Sequence, residues 1–344
     1  MNLKKENKQN SGQRVTQFPK GKKNSLTDVP GVKAGHLTVH KDFQNKLGKK
    51  VSVRTGFTAV LPYAMEKEMR LFAGCFILNG KGEMTGYEVM EDFCYLNSPI
   101  VVTNSFNVGK VYDAILSYGF ALKRDEIWPP LVVGVDDSYL NDMNQFLFKE
   151  EEILEAFRKA SDGQLAEGSV GIGLGLSAFG WKGGIGSASR LLAHGGKKFS
   201  LGILVVSNHG HRSSDEGGGS LTIVVGVDIP VLPQQIQRIV RSLVSNLSLG
   251  SKPNSRDTVS CILFSTANPM NMENQGPQVF DFQMIDDSFL DQIIGAGLEA
   301  IEEAILNSLL KATPIRGKLG RIVRAISKDE FEKFVKEGRW NDEK

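Results

Sequence analysis

The apolar residues of the chain fall into short, dense runs separated by polar, glycine-rich stretches. Val51 to Leu61 (VSVRTGFTAVL), Leu71 to Leu78, Pro99 to Thr103 (PIVVT), Leu131 to Val135, Phe199 to Ser207 (FSLGILVVS), Leu221 to Val227 and Val259 to Phe264 are rich in β-branched and aliphatic residues. Each has the length of a buried strand. Val32 to Val39 alternates more loosely and reads as a further strand. Helical spacing appears over Lys110 to Tyr118 and over residues 148–160 (LFKEEEILEAFRK). From about 232 to 248, Leu232, Ile236, Ile239, Val240, Leu243, Val244 and Leu247 make one stripe, with Pro233 in the first turn and Gly250 suited to the C-terminal cap. A long helix is expected over 286–311, opened by Asp286, Asp287 and Ser288. Strands and helices are interleaved without a repeat or linker, so the residues themselves predict one α+β domain.

That domain begins at residue 24. Residues 1–23 are polar and lysine-rich and are expected to form a disordered tail; they lack the apolar core of a secretory signal. No run of 18 apolar residues exists, so no transmembrane helix is expected. Lys+Arg is 41 against Asp+Glu 39, a balance that argues against nucleic acid or an anionic membrane as partner. Cys75, Cys94 and Cys261 are far apart and lie in apolar contexts, without metal spacing. They read as buried free thiols of a reducing, cytoplasmic setting.

The stretch Glu216-Gly217-Gly218-Gly219-Ser220 carries the candidate chemistry. A glycine loop ends there and a strand begins on a serine. A hydroxyl beside an unshielded glycine carbonyl, in a strained turn, can attack the preceding peptide bond. Cleavage would leave Ser220 as an N-terminus whose own α-amine, titrating near neutrality, is a built-in base. Upstream, EGSVGIGLGLSAFGWKGGIGSASR (Glu167 to Arg190) is glycine-dense but fits neither dinucleotide nor P-loop spacing, so its glycines are expected to let backbones pass closely. His209 and His211 flank Gly210 and read as loop histidines, since an H-x-H pair without a third ligand is a poor metal site.

Several of these segments together resemble a known family. They include Ser25-LTDVPGVKAGH-Leu37, Val53-RTGFTAVLP-Tyr63, Leu78-NGKGEMTG-Tyr87, Pro99-IVVTNSFNVG-Lys110, Leu140-Asn141-Asp142, Lys182-GGIGSAS-Arg190, Val206-SNHG-His211, Gly219-Ser220 and Phe264-STAN-Pro269. In this order, over about residues 24 to 320, the chain resembles the DmpA-like self-processing aminopeptidases of peptidase family S58, which include L-aminopeptidase/D-esterases and β-peptidyl aminopeptidases. The resemblance implies an αββα sandwich of the DmpA/ornithine-acetyltransferase-like type, N-terminal-nucleophile-like. It implies self-cleavage at Gly219-Ser220 into chains 1–219 and 220–344, and a homo-oligomer of such pairs. The activity implied is release of N-terminal residues from short peptides, amides or esters through an acyl-enzyme, with no metal or organic cofactor.

The resemblance makes Ser220 the nucleophile and Asn208 the oxyanion donor. It makes Ser255 and Asp257 the pair that orients the Ser220 amine, although Arg256 stands where the family has glycine. Another alignment puts Asp257 on the serine and Val259 on the acid. Before Leu140-Asn141-Asp142, Gly134 replaces the family's acid and Asp136 its aromatic, leaving Asp136 to bind a substrate ammonium or to cap a turn. Two rival functions follow. One is an acyltransferase or amide-forming enzyme of the related self-cleaving fold. The other is an uncleaved, non-catalytic binding relative.

Overall fold

The computed structural model describes residues 17–124, 129–145, 148–210, 219–247, 257–273 and 276–336. Two sheets carry the fold. The first joins β1 (Lys33–Gln44), β2 (Lys50–Leu61), β4 (Ile100–Asn104) and β5 (Leu131–Val135), in that spatial order. The β1–β2 and β2–β4 pairs are antiparallel and β4–β5 is parallel. The second sheet takes β3 (Met69–Leu78), β9 (Thr258–Ser265), β8 (Ser220–Val227), β7 (Lys197–Asn208) and β6 (Gly184–His194) as its main run. Here β8–β9 is parallel and the other pairs are antiparallel. A short helix, α1 (Tyr87–Asp92), occupies the acidic segment after β3.

Strand alternation builds the layers. Along β7, Leu204 and Val206 join the core shared with the first sheet, whereas Leu201, Ile203 and Val205 join the core under the helices. Val224 on β8 and Ile262 and Phe264 on β9 also face the first sheet. The outer core of the second sheet is closed by α4 (Pro233–Ser245) and α5 (Leu290–Leu310), which pack on each other and on β3, β6, β7 and β9. On the other side, α2 (Val108–Ala121) and α3 (Glu150–Lys159) cover the first sheet. The order is helix, sheet, sheet, helix: the αββα sandwich.

The expected helices are recovered with shifted ends. Helix α4 runs on the buried stripe Ile236, Ile239, Val240, Leu243 and Val244, and the Gln235 side chain accepts the Leu232 N–H at its start. It stops at Ser245, where both the backbone N–H and the side-chain amide of Asn246 donate to Ser242 O. Gly250, the expected cap, lies outside the described residues. The 286–311 helix opens as a single tight turn, with Asp286 accepting the Ser288 N–H, before α5 begins. A last helix, α6 (Lys328–Lys336), follows the basic stretch after Pro314.

Two expectations are corrected. Residues 17–23 are not a free tail: Phe18 packs against the outer core, Pro19 O accepts the Leu191 N–H, and Lys20 pairs with Glu303. Glu303, with Glu299, also holds the buried Arg190 guanidinium, so the segment is laid along β6 and α5 by one charged cluster. Residues 1–16 lie outside the described set. Cys94 is only half-buried, in a left-handed turn (φ 57°), unlike Cys75 and Cys261. Burial pushes the Cys75 thiol up to about 12 and raises that of Cys261 further.

The dense glycines serve close approach, most clearly Gly186 on β6. A side chain there would run into Ala304 O and reach within 2.8 Å of Ser308 N on α5. Gly186→Ala is expected to destabilise the fold by about 1–3 kcal/mol, the usual cost of overpacking a rigid contact. Denaturant unfolding checks this, and an unchanged midpoint would contradict it.

Candidate active site

Ser220 opens β8 directly opposite Asn208, the last residue of β7, and is paired on its other side with Thr258, the first of β9. Alternation then fixes which way these side chains face. Asn208 follows Val206 and Leu204, Ser220 precedes Val224, and Thr258 precedes Ile262 and Phe264, all of which face the first sheet. Asn208, Ser220, Thr222, Thr258 and Ser260 are therefore the polar end of the inter-sheet interior. A cavity of about 260 Å³ opens there, lined by Ser220, Thr222, Thr258 and Ser260 from the second sheet and by Ser105, Gly134 and Asp136 from the end of the first. Lys81, on the loop after β3, completes it. The Ser220 hydroxyl oxygen is buried and has no hydrogen-bond partner among the described residues.

The peptide before Ser220 is clamped. Thr258 N–H donates to Gly219 O (2.9 Å), and the Asp257 carboxylate accepts the Gly219 N–H (2.9 Å). The carbonyl that Ser220 would attack is thus already polarised by a backbone donor. Gly219 is needed here for a reason other than turn strain, since it does not adopt the left-handed conformation. A side chain on Gly219 would collide with the Asp257 carboxylate and lie 2.9 Å from His209 Cα.

Asp257 is buried, and its own carbonyl accepts from the Asn79 side chain (3.0 Å). It therefore sits at the Gly219 peptide. Ser255 and Arg256 lie outside the described residues. Val259, the acid position of the other alignment, packs in the outer core.

Asn208 is held at both ends of its amide. Its Oδ1 accepts the Ser177 N–H (3.2 Å), and its Nδ2 donates to Asp136 O (2.7 Å). The first bond fixes the orientation of the amide, and the second leaves Nδ2 one further proton to donate. Asp136 is exposed at the cavity, with Oδ1 accepting the Ser138 N–H (2.9 Å) in a local turn. Its second oxygen remains directed by no ion pair among the described residues. His209 is buried, its ring edge-on to Phe179 (4.9 Å) and 3.3 Å from Ser207 Oγ. His211 lies outside the described residues. Among the described residues no group of three or more His, Cys, Asp or Glu side chains could hold a metal ion.

Sequence reasoning missed the groups that support this arrangement. Asn79, in a left-handed turn (φ 55°), accepts the Thr258 hydroxyl (2.7 Å) through its carbonyl. Lys182, buried, donates to Gly173 O (2.6 Å) and Gly183 O (2.8 Å) and ties down the glycine loops beside Ser177; burial pushes its ammonium down to about 7. Asp137 lies behind Asp136, with Oδ1 accepting from Asn141 (2.9 Å). Both Asn79 and Lys182 sat inside quoted signatures, LNGKGEMTG and KGGIGSASR, which was the only signal available.

Burial pushes the Asp137 carboxyl up to about 7, against the pull of hydrogen bonds from Thr55 and Asn141. An unfolded carboxyl titrates near 3.9, so folding favours the protonated form. The contribution of Asp137 to stability is fully present below about pH 4 and is lost as the pH rises through about 7. Asp137→Asn is expected to gain thermal stability relative to the unmodified protein as pH rises from 4 to 8. Parallel Tm-versus-pH curves for the two proteins would contradict this.

The sequence profile described as "Peptidase family S58" matches residues 24–323. The chain is 32% identical to the "Beta-peptidyl aminopeptidase BapA" of Sphingosinicella microcystinivorans, across 93% of this chain and 89% of that protein. Among solved structures, the PH0078 protein of Pyrococcus horikoshii OT3 superposes with a TM-score of 0.85 at 32% identity, over 95% of this chain and 98% of that one. The L-aminopeptidase D-Ala-esterase/amidase of Ochrobactrum anthropi, described as a new variant of the Ntn hydrolase fold, superposes with a TM-score of 0.84 at 30% identity. That match covers 94% of this chain and 97% of that one.

Proposed function

The chain belongs to peptidase family S58 and is a serine-type aminopeptidase of the Ntn hydrolase kind, and on that premise we propose how its residues divide the work. The observation that carries the reading is the clamped Gly219 peptide beside the Ser220 hydroxyl. In the first reaction, Ser220 Oγ attacks the Gly219 carbonyl carbon, and the oxyanion develops on the oxygen that Thr258 N–H already holds. The peptide C–N bond breaks as the ester forms, and the Ser220 nitrogen leaves as an amine carrying the proton lost from Oγ. Water then hydrolyses the ester, giving chains 1–219 and 220–344 with a free Ser220 amine.

In the second reaction, that amine takes the proton from Ser220 Oγ as the hydroxyl attacks the first carbonyl of a short peptide, amide or ester. Asn208 Nδ2 donates to the new oxyanion, supported by the Ser177 N–H that fixes its orientation. The same amine returns the proton to the leaving group, and water clears the acyl-enzyme. Asp136 receives the substrate's ammonium at the cavity. Asp257 holds Gly219 before cleavage and lies beside the new amine after it, with Ser255 as its partner in the family-based assignment.

A homo-oligomer of the two-chain unit and a cytoplasmic setting belong to the same reading. The exposed rings of Phe93 and Phe120 support the first, and the three free cysteines support the second.

Denaturing electrophoresis with N-terminal sequencing tests the cut: two fragments are expected, the smaller beginning at Ser220, and Ser220→Ala should give one uncut, inactive chain. A single full-length band for the unmodified protein would overturn the reading. Asn208→Ala should lower kcat on a cleaved preparation by about 10²- to 10³-fold, the usual effect of losing one oxyanion donor. A kcat within about threefold of the unmodified protein would remove Asn208 from the oxyanion site.

A further inference from the structure

Two residues of opposite charge line the cavity on opposite flanks of Ser220. Asp136 reaches the cavity on the Asn208 flank of Ser220, tied there by the hydrogen bond from Asn208 Nδ2 to its carbonyl. Lys81 reaches it on the Thr258 flank, tied by the bond from its backbone N–H to Thr258 Oγ1 (3.2 Å). Its loop is fixed further by the left-handed turn at Asn79, whose carbonyl accepts both the Lys81 N–H (2.7 Å) and the Thr258 hydroxyl. Neither the Lys81 ammonium nor the Asp136 carboxylate has an ion-pair partner among the described residues, and both line the same small cavity. Besides Ser220, the remaining side chains there, Ser105, Val135, Thr222, Thr258 and Ser260, are neutral and short.

We propose that Lys81 is a specificity residue that recognises a free carboxylate on the leaving group, so that the preferred substrates are zwitterionic dipeptides. The inference rests on the aminopeptidase reading above. With the scissile carbonyl over Ser220, an ammonium held by Asp136 puts the acyl residue on the Asn208 flank. The departing residue then lies on the Thr258 flank, where its carboxylate meets Lys81. The cavity is about 260 Å³, and a dipeptide spanning it from Asp136 to Lys81 would set one terminus against each charge. Lysine suits this task as a compact point charge on a flexible stem.

The test compares kcat/KM for a dipeptide with that for the same dipeptide as its C-terminal primary amide. The acyl residue is chosen as the one whose 4-nitroanilide the unmodified enzyme cleaves fastest. The unmodified enzyme is expected to prefer the acid by about tenfold or more, the scale of a charge-assisted hydrogen bond. Lys81→Gln should bring the ratio close to one, Lys81→Glu should invert it, and Lys81→Arg should keep the preference for the acid. An acid-to-amide ratio that is the same in the unmodified enzyme and in Lys81→Gln overturns the proposal. So does a Lys81→Gln protein that no longer cleaves itself at Gly219-Ser220, since Lys81 would then serve the fold or the chemistry. Failure of the unmodified, cleaved enzyme to release nitroaniline from any aminoacyl anilide is a failure of the aminopeptidase reading itself. The nitroanilides carry no carboxylate, so that outcome is distinct from the loss of leaving-group selection.

Discussion

The register of three adjacent strands is the constraint on which the site depends. β7, β8 and β9 place Asn208, Ser220 and Thr258 abreast, and the last pairing is parallel while the first is antiparallel. A one-residue slip of β8 would turn Ser220 and Thr222 out of the inter-sheet space and into the outer core, setting two hydroxyls among the aliphatic side chains packed under the helices. The two apolar faces of the strand thus fix the orientation of Ser220. The same register delivers Asp257 and Thr258 to the two sides of the Gly219 peptide, so that the carbonyl before Ser220 is polarised by the ladder itself.

The interior between the two sheets becomes polar at one end, where most of its polar groups are hydrogen-bonded and the Ser220 hydroxyl has no partner among the described residues. Thr222 and Ser260 replace the aliphatic residues found further along the same faces. Behind them, Asn104 accepts from Phe106 and Asn107, Asn141 links Asp137 to the Arg54 N–H, and Lys182 satisfies two glycine carbonyls. Buried polar groups are tolerated when hydrogen-bonded and rigidify what they bond. The rigidity falls on the segments that orient Asn208, because Ser177 stands between the loops that Lys182 anchors. The glycine-dense stretch has the same logic: backbones must pass within a side chain's width for the loops, β6 and α5 to meet.

Much of this was legible along the chain because it is local. β-branched runs marked the strands, the stripe on α4 marked its buried face, and the Gly219-Ser220 junction announced itself by a loop ending on a strand. Helix α4 ends early because Asn246 can satisfy Ser242 O by itself, a competition that periodicity does not report. The packing of residues 17–23 was hidden because its partners, Glu299 and Glu303 for Gln17 and Lys20 and the outer core for the single ring of Phe18, lie far along the chain. Thr258 and Lys81 were missed for the same reason: a threonine and a surface lysine gain meaning only when the sheet registers bring them to the cavity of Ser220. At Gly219 the expectation of a strained turn is not met, since the glycine answers to the Asp257 carboxylate and the His209 backbone rather than to a left-handed turn.

The central claim is that one atom, Ser220 Oγ, performs both the cut and the hydrolysis. Covalent labelling of the purified protein with a serine-directed sulfonyl fluoride, followed by intact-mass and peptide mapping, tests it most directly. A single adduct on Ser220, with Ser220 as the first residue of the modified fragment, is the predicted result. Loss of activity with the label on another residue, or on Ser220 within an uncut chain, would contradict the account.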